Sequence, residues 1–275
     1  MKKKKGKFSS FILVIILLAG LSLVLYPSVS DYWNSLHQTQ AISNYIDAVS
    51  HIEEDETERL LAAAHEYNER LKSHDGLYFL TEEEQREYES QLDVTGTGVM
   101  GYIEIPAIEV SLPIYHGTSE AVLQVAAGHL EWTSLPVGGE GTHAVISGHR
   151  GLPSATLFTH LDRLREGDVF MIQVLGEVVT YEIDRILTVE PQDVEALKIA
   201  RGKDYCTLVT CTPYGINTQR YLVRGHRIDN LEEAAAVNVA PDATQINQVL
   251  VAAFLAIPVL VLILIVVSLM TRKHP

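Results

Sequence analysis

The sequence predicts a mostly β exported domain, preceded by a helical segment and bounded by a transmembrane helix at each end. Three observations predict it. Long uncharged apolar runs stand beside basic tails at both ends. The chain between them is strongly acidic. Near residue 95 its pattern changes from helical spacing to short β-rich runs punctuated by Gly and Pro. Of the 275 residues, 21 are Lys or Arg and 35 are Asp or Glu, a formal net charge of −14. Seven of the basic residues lie in the tails: Lys2, Lys3, Lys4, Lys5, Lys7, Arg272 and Lys273. No acid precedes Asp31 or follows Asp242, so residues 31–242 hold 14 basic and 35 acidic residues, a net of −21. That balance excludes a protein that grips nucleic-acid phosphates with a basic face. The richness in Val, Ile, Leu and Tyr excludes disorder. With 18 Gly and 2 Cys, a collagenous or disulfide-stapled class is excluded as well.

Residues 1–7 form a basic tail. Residues 8–26 (FSSFILVIILLAGLSLVLY) are 19 uncharged positions. At 1.5 Å per residue they span about 28 Å as a helix, close to the ~30 Å hydrocarbon core of a bilayer. A cleaved signal peptide ending near Ser28-Val29-Ser30 is the alternative, but 19 apolar residues exceed the usual signal core. Residues 27–94 read as helical. Glu53, Glu54, Glu56 and Glu58 precede Leu60, Leu61 and Leu71, and Thr81 stands as N-cap with Glu84 at the third helical position. Between the two helices lies a loop with an apolar tip, residues 73–79. Residues 95–230 read as short strands at 100–105, 110–115, 143–147, 170–175, 178–183, 205–210 and 221–223, with a short capped helix at 118–123. Gly176-Glu177 is a two-residue hairpin signal. This pattern predicts an antiparallel barrel or sandwich. Residues 231–248 form a juxtamembrane linker. Residues 249–270 are a second uncharged run, interrupted by Pro258 and followed by the tail 271–275. Basic flanks stay in the cytoplasm, so both termini are expected inside a cell membrane crossed twice, with the middle of the chain outside.

An exported chain with two cysteines would ordinarily join them. Here both lie on one run, Tyr205-Cys206-Thr207-Leu208-Val209-Thr210-Cys211. Five extended steps separate their Cα atoms by about 16 Å, well beyond the ~7 Å limit of a disulfide. The odd spacing also points them to opposite faces. Cys206 reads as a packed small hydrophobe. Cys211 ends its strand before the turn Thr212-Pro213-Tyr214-Gly215, so it is either an exposed nucleophile or an incidental thiol. Arg220 begins the next run, nine residues on. If residues 213–218 close a hairpin, its guanidinium faces Cys211, where it would favour the thiolate and could bind an oxyanion. Taken alone it reads as a surface Arg on an acidic domain. Among the 11 His, those at 37, 51, 65 and 74 lie in the helical region and His274 in the cytoplasmic tail. His116, His129 and His149 each adjoin a Gly. His149, in Ser147-Gly148-His149-Arg150-Gly151 at a strand end, is the leading candidate for a general base, with His129 second.

These residues resemble a family. The stretch TLVTCTPYGINTQRYLVRGHR (207–227) is similar to the active-site strand pair of sortases, the membrane-bound cysteine transpeptidases of Gram-positive bacteria. Within them it resembles the pilus-assembling class C. The likeness extends to GYIEIP (101–106), LPIYHGTS (112–119), GHLE (128–131), TSLPVGG (133–139) and SGHRGLP (147–153). It implies an eight-stranded β-barrel with catalytic Cys211, His149 and Arg220, and it demotes His129. It further implies pilin subunits bearing LPxTG-like sorting signals as substrates, a thioester intermediate on Cys211, and isopeptide bonds to a pilin lysine. Anchoring of surface proteins to cell-wall peptide is the alternative within the family. A membrane-tethered barrel acting as scaffold or adhesin is the non-enzymatic alternative. Many class C members carry a lid with an Asp-Pro-aromatic motif. The matching region here is Asp75-Gly76-Leu77-Tyr78-Phe79, without the Pro and with the aromatic displaced, which leaves two readings: a lid with Asp75 toward Arg220 and Tyr78 or Phe79 over the thiol, or a cleft that is open or guarded differently. No metal-ligand spacing appears, and no cofactor and no nucleic acid is expected.

Overall fold

The structure is a computed structural model, and it describes residues 4–72 and 80–230. The candidate lid residues Asp75, Tyr78 and Phe79, the linker 231–248 and the apolar run 249–270 lie outside the described residues. The chain divides into two compact units, and among the described residues the first holds 4–33 and the second 34–230. Helix α1, Lys4–Ser50, begins in the first of these. Among the described residues it is the one helix long and apolar enough to cross a membrane. It continues through Pro27, where the sequence placed the end of the anchor. Proline lacks an N–H and disturbs only one turn of a long apolar helix.

The second unit is built on a closed barrel of eight strands. These are β1 Val99–Ile105, β2 Val110–His116, β3 Ala127–His129, β4 Thr142–Ser147, β5 Val169–Val174, β6 Glu177–Val189, β7 Asp204–Thr212 and β8 Gln219–Arg227. Around the barrel the order is β1-β2-β3-β4-β7-β8-β6-β5, closed by Tyr102 against Gln173. Two departures from the sequence reading appear. The barrel is not wholly antiparallel, because β2 pairs with β3 and β4 with β7 in parallel. The hairpin turn falls one residue earlier than predicted, on Leu175 (φ 51°) and Gly176 (φ 84°), with Val174 opposite Glu177. Two consecutive positive φ values give the tight turn that matches the twist of the flanking strands.

Helices pack against the barrel. Within this unit α1 buries Ile42 and Tyr45, and Val49 packs against the core, at helical spacing. The Tyr45 hydroxyl donates to Met100 O (3.0 Å) and accepts from Leu175 N–H (2.9 Å). It therefore fixes β1 and the awkward Leu175 turn with one group. Helix α2, Glu54–Leu71, buries Ala64, Tyr67, Asn68 and Leu71. The Asn68 amide bonds Leu135 in both directions, at 3.0 and 2.7 Å, and so pins the β3–β4 connection. Helix α3, Glu82–Ser90, starts at the predicted Thr81–Glu84 capping box. It buries Tyr88, whose hydroxyl meets His129 Nδ1 at 2.9 Å and accepts from Gly117 N–H at 2.9 Å.

Period-two alternation sorts the strand residues. On β4 and β7, Ala144, Ile146, Cys206 and Leu208 join the barrel interior with Phe170 and Val223. Val145 and Val209 face outward and cluster with Leu222 of β8 and Leu197 of the β6–β7 connection. That connection, residues 190–203, lies over the outer face of β4, β7 and β8. The His143 ring, whose Nδ1 is 2.9 Å from Lys198 O, ties it down, together with Gly141 N–H donating to Lys203 O (2.7 Å).

Candidate active site

Both cysteines are free, as the spacing requires. Cys206 is fully buried inside the barrel, and burial pushes its thiol well up. Cys211 sits five residues on, partly exposed at the outer end of β7. The β7–β8 register sets Cys211 directly opposite Arg220, so the predicted hairpin forms. Directly opposed residues hold their Cβ atoms about 4.5–5.5 Å apart. The intervening turn is closed by Ile216 and Asn217, whose N–H groups donate to Pro213 O at 3.0 and 2.9 Å. Arg220 Nη1 donates to the carbonyls of Asn217 (3.4 Å) and Gln219 (3.1 Å). Neutral backbone carbonyls thus orient the guanidinium, and among the described residues it makes no ion pair.

His149 arrives from the neighbouring strand. The Gly148 N–H donates to Val209 O (3.0 Å), and Gly148 O accepts from Thr210 Oγ1 (2.7 Å), which locks the end of β4 onto β7. On the other side His149 O accepts from Phe158 N–H (3.1 Å). Gly148 has no room for a side chain, since a Cβ there would lie 2.7 Å from Phe158 Cδ2. The Gly residues that marked this turn in the sequence thus serve close approach at Gly148 and a positive φ (75°) at Gly151.

Cys211, His149 and Arg220 line one cavity of about 390 Å³. Its floor is Val145, Val209 and Leu222, and its walls include Trp132, Val194 and Leu197. An apolar cleft with a few convergent polar groups is the usual form of a ligand site. A larger cavity of about 570 Å³ lies behind Trp132, Val194 and Leu197, toward the end of α2, but no thiol lines it. Among the described residues no group of three or more His, Cys, Asp or Glu side chains is placed to hold a metal ion.

His129 takes a different role. It is completely buried, with Nε2 2.8 Å from Ser134 O and Nδ1 facing Tyr88. Desolvation pushes its pKa down to about 4, so it stays neutral and structural. His143 is held likewise at about 4 by burial, with Nε2 2.7 Å from Thr207 Oγ1. Two features escaped the sequence. The β6–β7 connection supplies much of the cavity wall, although its composition carries no catalytic signal. Glu120 opens the short helix α4, Glu120–Leu123, and its Oε2 lies 3.5 Å from His149 Nε2. The Glu120 carboxyl is held below the usual carboxylate range, first by the Gln124 amide and then by His149. The predicted helix at 118–123 was a signal for the element but not for its approach to His149, which the parallel β2–β3 crossover creates.

Comparison with known proteins follows the same residues. A family model described as Sortase domain matches residues 103–228. The chain is 35% identical over 117 residues to Sortase A of Streptococcus agalactiae, a match covering 42% of this chain and 47% of that protein, so it spans about half the length of this curated relative. Among solved structures, sortase C1 from Streptococcus agalactiae is 52% identical with a TM-score of 0.68, covering 70% of this chain and all of that one. Sortase C of Streptococcus pneumoniae, described for its catalysis and pilin substrate specificity, is 46% identical with a TM-score of 0.62 over 70% of this chain and 97% of that one. Sortase C of Clostridium perfringens, solved with its C-terminal cell wall sorting motif, is 42% identical with a TM-score of 0.62 over 70% of this chain and all of that one. The identity runs over the full length of solved sortases C and the barrel is closed, so the likeness is more than a shared short motif: the chain belongs to the sortase family.

Proposed function

We propose that this chain is a membrane-anchored cysteine transpeptidase that cleaves LPxTG-like sorting signals of pilin subunits and joins them to a pilin lysine. The observation that carries this reading is the strand register placing Cys211 opposite Arg220, in the cavity that His149 also lines. In this scheme the Cys211 thiolate attacks the Thr carbonyl carbon of the signal. Arg220 donates hydrogen bonds to the developing oxyanion. The Thr–Gly C–N bond breaks, His149 gives a proton to the departing Gly amine, and an acyl thioester remains on Cys211. A lysine amine of the next pilin attacks that thioester, His149 takes up its proton, and the isopeptide bond forms as the thiolate leaves. Amine must outcompete water, which an apolar cavity favours. Helix α1 serves as the anchor. The basic tails place both termini in the cytoplasm and the barrel outside, with the second span at residues 249–270.

The pilin-joining form of the reaction is favoured over attachment to cell-wall peptide by the solved sortases C that the chain matches. The test incubates the full-length chain in detergent micelles with a recombinant pilin carrying an LPxTG-like signal. SDS-resistant ladders of high mass are expected, together with a trapped thioester at Cys211. Cys211→Ala should give neither, whereas Cys206→Ala should keep both. Equal activity of Cys211→Ala and the parent would sink the enzymatic reading. Transfer to short glycine amines without ladders would assign the chain to wall anchoring instead.

A further inference from the structure

The turns that carry His149 and Cys211 meet at a side chain outside the catalytic three. Arg150 follows His149 directly, and its side chain is only 10% exposed. Its Nη2 pairs with Asp162 Oδ2, on the 3₁₀ turn Leu161–Arg163. Its guanidinium carbon lies 5.9 Å from the centroid of the Tyr214 ring. Tyr214 stands three residues after Cys211, on the turn 213–218. The same ring presses on the His149 turn a second time, since a Cβ placed on Gly151 would fall 2.8 Å from Tyr214 Cε2. Tyr214 is otherwise 61% exposed, so among the described residues this turn-to-turn contact is its main packing. Neither Arg150 nor Tyr214 lines the catalytic cavity.

As a stability device the arrangement is poor. Among the described residues, a guanidinium is buried against one half-exposed carboxylate, and its Nε has no hydrogen-bond partner. What it does supply is geometry. The planar fork is fixed by Asp162 and presents its face to an aromatic ring, a role that a lysine ammonium cannot fill.

We infer that Arg150 is a positioning residue, clamped between Asp162 and the Tyr214 ring so that the turn bearing His149 is held against the turn that follows Cys211. The inference rests on the reading of Cys211 and His149 as the reacting pair. Arg150 acts through those groups, because it stands outside the cavity that substrate would occupy.

The test uses the full-length chain in detergent, with two readouts: cleavage of a fluorogenic LPxTG-like peptide, and the rate of Cys211 alkylation by iodoacetamide as a function of pH in a Cys206→Ala background. Arg150→Ala and Tyr214→Ala should each lower kcat about tenfold with KM within about twofold, the pattern of lost alignment rather than lost binding. Both should change the alkylation profile of Cys211 from the parent's. Their combination should be no worse than the worse single change, because one contact is removed twice. Tyr214→Phe, which keeps the ring, should recover most of what Tyr214→Ala loses, and Arg150→Lys should recover little. Raised KM at unchanged kcat would overturn the inference by making Arg150 a substrate contact. A lowered melting temperature with parent-like kcat and alkylation profile would overturn it by making the cluster merely structural. If Arg150→Ala does not fold, Tyr214→Ala, a change at an exposed side chain, decides between the same outcomes. A parent that is alkylated at Cys211 but cleaves no peptide counts against the transpeptidase reading, and the alkylation profiles then decide the positioning role.

Discussion

Mild acid should loosen the barrel through two histidines that touch no substrate. His129 and His143 are buried and neutral, each with its pKa pushed by desolvation to about 4. The unfolded chain returns both to the ordinary ~6.5. Between those values the unfolded state binds protons that the folded state refuses, so stability falls as pH falls. Between pH 7.5 and 5 each histidine costs about 2 kcal/mol, and the pair about 4 kcal/mol. That is a large share of a typical folding free energy of about 5–15 kcal/mol. The burial-raised carboxyl of Glu104 has the opposite sign, so the histidine contribution must be isolated by substitution. The assay is urea unfolding of the full-length chain in detergent at both pH values, followed by the fluorescence of Trp132 in the cavity wall. The parent should lose stability on acidification. A His129→Gln/His143→Gln double variant should start less stable at pH 7.5 and then lose much less. A double variant with the parent's pH dependence, or a parent that loses nothing, would refute the assignment of these rings as neutral struts. Because His143 holds Lys198 O, peptide cleavage should fail in the parent before global unfolding is complete.

Arg220→Ala should reduce sorting-signal cleavage about 100-fold or more, and Arg220→Lys should recover only part of it, because a point charge replaces a fork of donors; steady-state kinetics on a peptide substrate reads this directly. Gly148→Ala should impair cleavage by driving a methyl into Phe158, and Phe158→Leu in the same chain should partly restore it, as a double-mutant kinetic cycle would show. Tyr45→Phe should cost about 1–3 kcal/mol in urea unfolding, since it strands the Leu175 N–H and the Met100 carbonyl together.

What could be read from the sequence was local, and what could not was long-range. The facing of Cys211 and Arg220 was legible as far as a nine-residue spacing around a Pro-Tyr-Gly turn suggests a hairpin, and the register bears that pairing out. The glycines around His149 marked a strand end, but only the family resemblance set it above His129. The Thr81–Glu84 box was legible because capping chemistry is confined to four residues. Strand β3 was not, since Ala127-Gly128-His129 is too short for alternation to show and is defined by partners in β2 and β4. The parallel pairings were hidden for the same reason. Between β4 and β7 stand β5, β6 and the long connection that walls the cavity. No local pattern records that crossover, so Glu120, Val194 and Leu197 could not be placed at the site.

The placement of two thiols on opposite faces of β7 has a redox consequence. Enzymes that use an accessible thiolate are open to oxidation to a sulfenic acid, and many reverse it by condensation with a resolving cysteine of the same chain. Here the second thiol is sealed inside the barrel, with its Cα about 16 Å away along an extended strand. No disulfide can form across that distance. Recovery of an oxidised Cys211 must therefore come from outside the chain, through a small-molecule thiol or a partner reductant able to enter the cavity. How long the thiol survives is set in part by what is present to reduce it.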